Sequence, residues 1–135
     1  MKIILTLACS FLVSAHLAAQ DPFTVEQYLF KADEALKEVQ GLIQQKEAVN
    51  KIQRAVARHN RALNNALVSA KKNQKEQARK AYKDIQLLAS RHVGVLQSLA
   101  GQVPPELKKA IESAIARSER GRNIAERQLK KLGTP

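Results

Sequence analysis

The stretch RHVGVLQSLAGQVPPELKKAIESAIARSERG, Arg91 to Gly121, decides the fold. Apolar residues at helical spacing lie on both sides of Gly101-Gln102-Val103-Pro104-Pro105-Glu106. Gly101 suits a helix C-terminus, Pro105 a first helical turn, and Glu106 the positive end of a new helix dipole. A short turn between two long helices makes them antiparallel neighbours. Before the turn, Ala78, Tyr82, Ile85, Leu88, His92, Val95 and Leu99 form one stripe. After it, Leu107, Ile111, Ala114, Ser118, Gly121, Ala125 and Leu129 form another, which ends at Gly133-Thr134-Pro135.

Further upstream, Val49, Ile52, Val56, His59, Leu63 and Leu67 mark a third stripe that fades in Lys71-Lys72-Asn73-Gln74-Lys75. A fourth runs through Val25, Tyr28, Leu29, Ala32, Leu36, Val39 and Ile43, with Asp33, Glu34, Lys37 and Glu38 mostly off its apolar face. Its start is well marked. Thr24 as N-cap and Gln27 three residues on make a capping box, and Phe23 and Tyr28 are placed for a hydrophobic staple. Between Gln44 and Glu47 the phase is lost without a Gly or Pro, which leaves a turn and a continuous bent helix both open. The pattern predicts an all-α fold. It is an elongated antiparallel bundle of three to four long helices, over about 24–45, 47–70, 75–101 and 105–132, with narrow, alanine-rich seams close to coiled-coil spacing.

Residues 1–20, MKIILTLACSFLVSAHLAAQ, read as a secretory signal peptide: Lys2 ahead of an apolar run from Ile3 to Val13, then small residues at Ala15, Ala18 and Ala19. The run falls short of a membrane span, and Ser10, Ser14 and His16 interrupt it. Cys9 lacks the leucine three residues before it that a lipoprotein signal wants. Cleavage removes this only cysteine, so residues 21–135 form a single exported helical domain, periplasmic or extracellular, held by packing rather than disulfides.

Catalytic chemistry has little to build on. The serines outside the leader (Ser69, Ser90, Ser98, Ser113, Ser118) lie in helical sequence, there is no Gly-rich phosphate loop, and only His59 and His92 offer imidazoles. Reflecting His92 about the loop near Asn73 puts it opposite Arg54 and Ala55, about one turn from His59. A metal would need carboxylates to join the two imidazoles, and the apolar stripes supply none. The expectation is a non-enzymatic chain with structural histidines and no cofactor.

Charge gives the functional lead. The chain carries +11, unevenly spread. From Asp21 to Glu47 acids outnumber bases six to three, whereas Ala48 to His92 holds eleven bases and two acids. Lys51, Arg54, Arg58 and Arg61 share one helix face, and Arg79, Lys80, Lys83 and Arg91 carry the charge onto the next helix. Such a surface either docks the acidic first helix or meets an anionic partner: lipid head groups, an envelope polymer or an acidic client protein. Export and the scarcity of stacking aromatics demote nucleic acid. An interaction or structural protein is the first reading. A chaperone-like or stress-sensing helical protein is the second, and a metal-binding protein the third.

Taken together, His92, Val95-Leu96, Val103-Pro104, Glu106, Ile111, Ala114, Ser118 and Gly121 resemble the C-terminal hairpin signature of a family of small bacterial exported helical domains, classed as a domain of unknown function. Pro22, Tyr28 and Lys31 match that family's usual start loosely. The resemblance implies a fold and a compartment and no activity. Physically, Pro104 sets the turn, while reflection about Val103 puts His92 opposite Ser113 and Ala114. The small residues Ala114, Ser118 and Gly121 then let helices approach, with His92 as the clasp of the hairpin.

Overall fold

The computed structural model describes residues 24–133. They form four helices: α1 (Val25–Gln44), α2 (Val49–Lys71), α3 (Lys75–Ala100) and α4 (Pro105–Leu132), with no strand among the described residues. The leader, Phe23 of the expected staple, and Thr134-Pro135 lie outside them. The chain is an all-α antiparallel bundle. At 1.5 Å per residue α3 and α4 are each about 40 Å long.

Local chemistry explains the helix ends. Thr24 Oγ1 accepts from the Gln27 N–H at 3.2 Å, and Gln27 Oε1 accepts from the Thr24 N–H at 2.8 Å, so the capping box at the start of α1 is complete. Pro104 is the N-cap of α4 and Pro105 its first residue. Between α1 and α2 the chain turns rather than bends. The Lys46 N–H donates to Ile43 O and the Glu47 N–H to Leu42 O, both at 3.0 Å, the paired bonds of a Schellman motif. Lys46 sits in its left-handed position at φ 55°. Gly101, by contrast, ends α3 at φ −80° and uses none of its conformational freedom.

Two antiparallel hairpins, α1–α2 and α3–α4, carry the most extensive packing. They stack so that α2 lies beside α4 and α1 beside α3, each such pair parallel, while α2 also meets α3 and α1 does not reach α4. The core falls into two clusters. One gathers Leu29, Ala32, Leu63, Ala66, Ile85 and Ala125 near the start of α1; the other gathers Val39, Ile52, Leu96, Leu107 and Ile111 near its end. Alanine lines the seams: Ala32, Ala55, Ala66, Ala70, Ala89 and Ala125 are fully buried.

Gly121 faces α2, not its hairpin partner α3. A Cβ there would meet Leu63 Cδ2 at 3.6 Å and Leu67 Cδ1 at 3.8 Å, ordinary contact distances. Gly121→Ala should therefore fit and gain helix propensity, up to about 1 kcal/mol. Gly121→Leu should drive a branched side chain into Leu63 and cost about 1–3 kcal/mol. Thermal melts of both variants check the contrast. At Lys46 the expected direction is the reverse of most glycine substitutions: Lys46→Gly relieves a left-handed lysine and should raise stability by about 0.5–1 kcal/mol in a denaturant titration.

Candidate functional site

Between the two apolar clusters a polar chain crosses all four helices. Asp33 Oδ1 on α1 lies 3.0 Å from His92 Nε2 on α3. His92 Nδ1 lies 2.9 Å from His59 Nε2 on α2. His59 Nδ1 lies 2.9 Å from Asn60 Oδ1, and Asn60 Nδ2 donates to Ser113 Oγ on α4 at 3.0 Å. Both imidazoles are 1% exposed, with ring centroids 5.1 Å apart. The ends of the chain reach solvent at Asp33, whose side chain is 30% exposed, and at Ser113.

This corrects the sequence reading in three respects. The histidines touch directly rather than lying a turn apart. A carboxylate does join them, because Asp33 sits at the edge of the α1 stripe beside fully buried Ala32, on the side that faces the parallel helix α3. Nor is His92 a clasp between α3 and α4. It joins α3 to α1 and α2, and Ser113 is reached from α2. Ser118, fully buried one and a half turns beyond Ser113, has no hydrogen-bond partner for its hydroxyl. Ala114 is buried in the second core cluster.

The electrostatics follow from burial. Desolvation lowers the pKa of His59 to about 4, its hydrogen bond to Asn60 opposing this and the nearby His92 adding to it. Burial also lowers that of His92, against the raising effect of the Asp33 hydrogen bond and charge. Asp33 is held below the usual carboxylate value chiefly by its hydrogen bond to His92, with Lys37 and Arg91 contributing and burial opposing. The polar groups form a line rather than a cage. Among the described residues no group of three or more His, Cys, Asp or Glu side chains is arranged to hold a metal ion.

The expected basic surface divides. Arg79 is only 9% exposed, which removes it from any partner face. Its guanidinium caps the C-terminal end of α4, donating to Gly133 O at 3.2 Å and Leu132 O at 3.3 Å, and pairs with Glu76 at 2.7 Å. Three others reach acids of α1: Arg58 pairs with Glu38, Lys80 with Glu26 at 3.5 Å, and Arg91 with Asp33 at 3.6 Å. Lys80 also pairs with Asp84, which with Glu26 raises its pKa. Lys51 pairs with Glu47. Arg54, Arg61 and Lys83 are exposed and make no ion pair among the described residues.

Arg58 and Arg61 border a groove of about 720 Å³ between α1 and α2, whose wall includes Tyr28, Lys31 and Phe30. Phe30 stands 66% exposed. Glu34 and Glu38 line the same groove, so its cations are partly offset. Sequence reasoning passed over Phe30 because it falls outside the apolar stripe of α1; its off-phase position was the available signal. No helix among the described residues is long and apolar enough to cross a membrane. No known protein family, curated protein or solved structure matches this chain.

Acid should weaken the fold through the histidine layer. Above pH 6.5 His59 is neutral both folded and unfolded. Between 6.5 and about 4 the unfolded chain takes a proton that folded His59 refuses, so stability falls as pH falls, by about 3 kcal/mol from this residue. His92 adds loss of the same sign below pH 6.5. Asp33 adds loss only as pH falls below its unfolded value of 3.8. Melting temperature measured from pH 7.5 to 4 should decline across this range, and His59→Gln should lie lower at pH 7.5 but decline less steeply.

Proposed function

We propose that this chain is an exported, non-enzymatic interaction or structural protein that uses the α2 basic face toward anionic envelope components. One observation carries the reading: Arg54 and Arg61, a helical seven residues apart on the same face, are exposed and lack ion pairs. Most of the other basic residues of the set are held by acids of this chain. The surplus positive charge on α2 therefore sits at Arg54 and Arg61, with Lys71 at the end of the helix. Arg58, between them, already shares its charge with Glu38 and would anchor the face more than supply it.

Phe30 strengthens the same reading. A two-thirds exposed aromatic ring beside a groove lined by Lys31, Arg58 and Arg61 suits a surface with anionic head groups above an apolar layer. It also favours the chaperone-like alternative, since an acidic, apolar client segment offers the same pairing of charge and oil. The resemblance to exported helical domains and the leader-like residues 1–20 support the compartment in which either would act.

Sedimentation with vesicles tests the reading. The chain should bind vesicles of phosphatidylglycerol in preference to phosphatidylcholine, and binding should fall several-fold between 50 and about 200 mM salt as the ~10 Å Debye length shortens. Arg54→Glu with Arg61→Glu should remove it, whereas charge reversal at Lys83, on another helix, should leave most of it. Equal binding to both lipids, or indifference to the α2 reversals, would overturn the proposal; suppression of client aggregation by a chain that ignores vesicles would select the alternative.

A further inference from the structure

The hydrogen-bond chain Asp33–His92–His59–Asn60–Ser113 has a property that comes from counting protons. In the structure an acceptor faces each end of the imidazole pair: Asp33 Oδ1 at His92 Nε2 and Asn60 Oδ1 at His59 Nδ1. With Asp33 a carboxylate, both outer nitrogens must then carry hydrogens. The inner contact, 2.9 Å between His92 Nδ1 and His59 Nε2, needs one more. Three N–H groups on two imidazoles is one more than two neutral rings possess. This arrangement therefore holds one extra proton. That proton lies either on the imidazole pair or on Asp33 with both rings turned to their other tautomer; the count is the same.

A second arrangement satisfies the same atoms without it. If the Asn60 amide turns over, its nitrogen donates to His59 Nδ1 and its oxygen accepts from the Ser113 hydroxyl. His59 Nε2–H then donates to His92 Nδ1, and His92 Nε2–H to the Asp33 carboxylate. Every donor has an acceptor, and both imidazoles are neutral. The two arrangements differ by one proton and one rotation about the Asn60 side chain, with no movement of the helices. Asn60 is free to make that rotation because it is only partly buried, at the outer end of the chain, and its partner Ser113 is an exposed hydroxyl that donates or accepts equally well.

We propose that Asp33, His92, His59 and Asn60 form a two-step proton switch between the α1–α2 and α3–α4 hairpins. The first proton reverses the Asn60 half of the chain and leaves the layer intact; the second separates His59 from His92 and lets the hairpins part. The second step follows from the same count. Four N–H groups on the pair put two donors face to face across 2.9 Å, and two adjacent cations in a buried layer repel, with Asp33 the only carboxylate in contact among the described residues. Charged neighbours set the balance. On α1, Asp33 favours a charged His92, while Lys37 at 3.7 Å and, from α3, Arg91 at 3.6 Å share that carboxylate. From α2 and α4 the partners are the Asn60 amide and the Ser113 hydroxyl, neither of which titrates. The interface affected is the one between the hairpins, where α2 meets α4 and α3 and α1 meets α3, and the imidazole pair lies within it. Depressed imidazole affinities place the switch below neutral pH.

Nitrogen-resolved NMR of the ¹⁵N-labelled full chain tests this from pH 8 downward. At pH 8 both rings should be neutral with the hydrogen on Nε2. On acidification the two rings should shift together at one midpoint, and the Asn60 side-chain NH₂ signals should move at that same midpoint. Rings that titrate independently, or Asn60 signals that stay fixed, would overturn the first step. Asn60→Asp supplies a permanent acceptor to His59 at a partly exposed position that tolerates charge. It should raise the first midpoint by about one pH unit or more, and an unmoved midpoint counts against the switch. At the lower, second midpoint, amide exchange corrected for intrinsic rates should accelerate around His59 in α2 and His92 in α3. Both protons taken up with protection unchanged would overturn the parting of the hairpins.

Discussion

Two imidazoles lie in the middle of this bundle with almost no access to water, and four ring nitrogens must find partners there. An unpartnered buried polar atom costs about 1–3 kcal/mol, a sizeable share of the stability of a domain of this size. Three helices meet that demand, with Asp33 from α1, His59 and Asn60 from α2 and His92 from α3, and Ser113 of α4 in turn partners the Asn60 amide. The alanine-rich seams by themselves specify close approach but tolerate sliding, because one small apolar residue resembles the next. A polar layer that closes only when α1, α2 and α3 are aligned removes that freedom. It divides the core into two apolar clusters and fixes the register of both.

Electrostatics build the same architecture from outside. The acids of α1 are spent within the fold: Glu26, Asp33 and Glu38 hold Lys80, Arg91 and Arg58, which tie α1 to α3 and α2 along its length. These are exposed or half-exposed pairs and each contributes little to stability. Their larger effect is on what remains. Once they are made, Arg54, Arg61 and the terminal Lys71 of α2 are left without ion pairs among the described residues, and Arg61 lines the groove between α1 and α2 together with the exposed ring of Phe30. The asymmetry between an acidic first helix and a basic second one is thus a packing device that leaves positive charge exposed on α2.

Much of the architecture was legible in the chain. The Gly-Pro-Pro turn after α3, the capping box at Thr24 and the lysine-rich loop before α3 are local signals whose chemistry acts within a few residues, and the helices begin and end within about two residues of where those signals place them. The turn after α1 was not legible. Its left-handed position, closed by the Lys46 and Glu47 N–H bonds to Ile43 and Leu42, holds a lysine where glycine is usual, so no residue there signals it. Arg79 misled for a related reason. A charged residue among other charges reads as solvated, yet its guanidinium reaches carbonyls at the far end of α4, more than fifty residues away in the chain.

The site shows where local reading stops. Helical phase alone placed His59 and His92 on facing stripes and assigned them to the interior. Which atoms they touch depends on how the hairpins stack, because Asp33 comes from a parallel neighbour that no loop joins directly to α3. Reflection about loops finds antiparallel partners and is blind to parallel ones, so it gave His92 a partner on α4 and left out the carboxylate on α1. Periodicity and charge are written residue by residue, so a four-stripe helical chain with buried histidines and a basic second helix follows from the amino acids alone. That those histidines, a carboxylate and an amide form one hydrogen-bonded chain emerges from the packed fold, because hydrogen bonds depend on ångström distances between helices that the sequence does not order side by side.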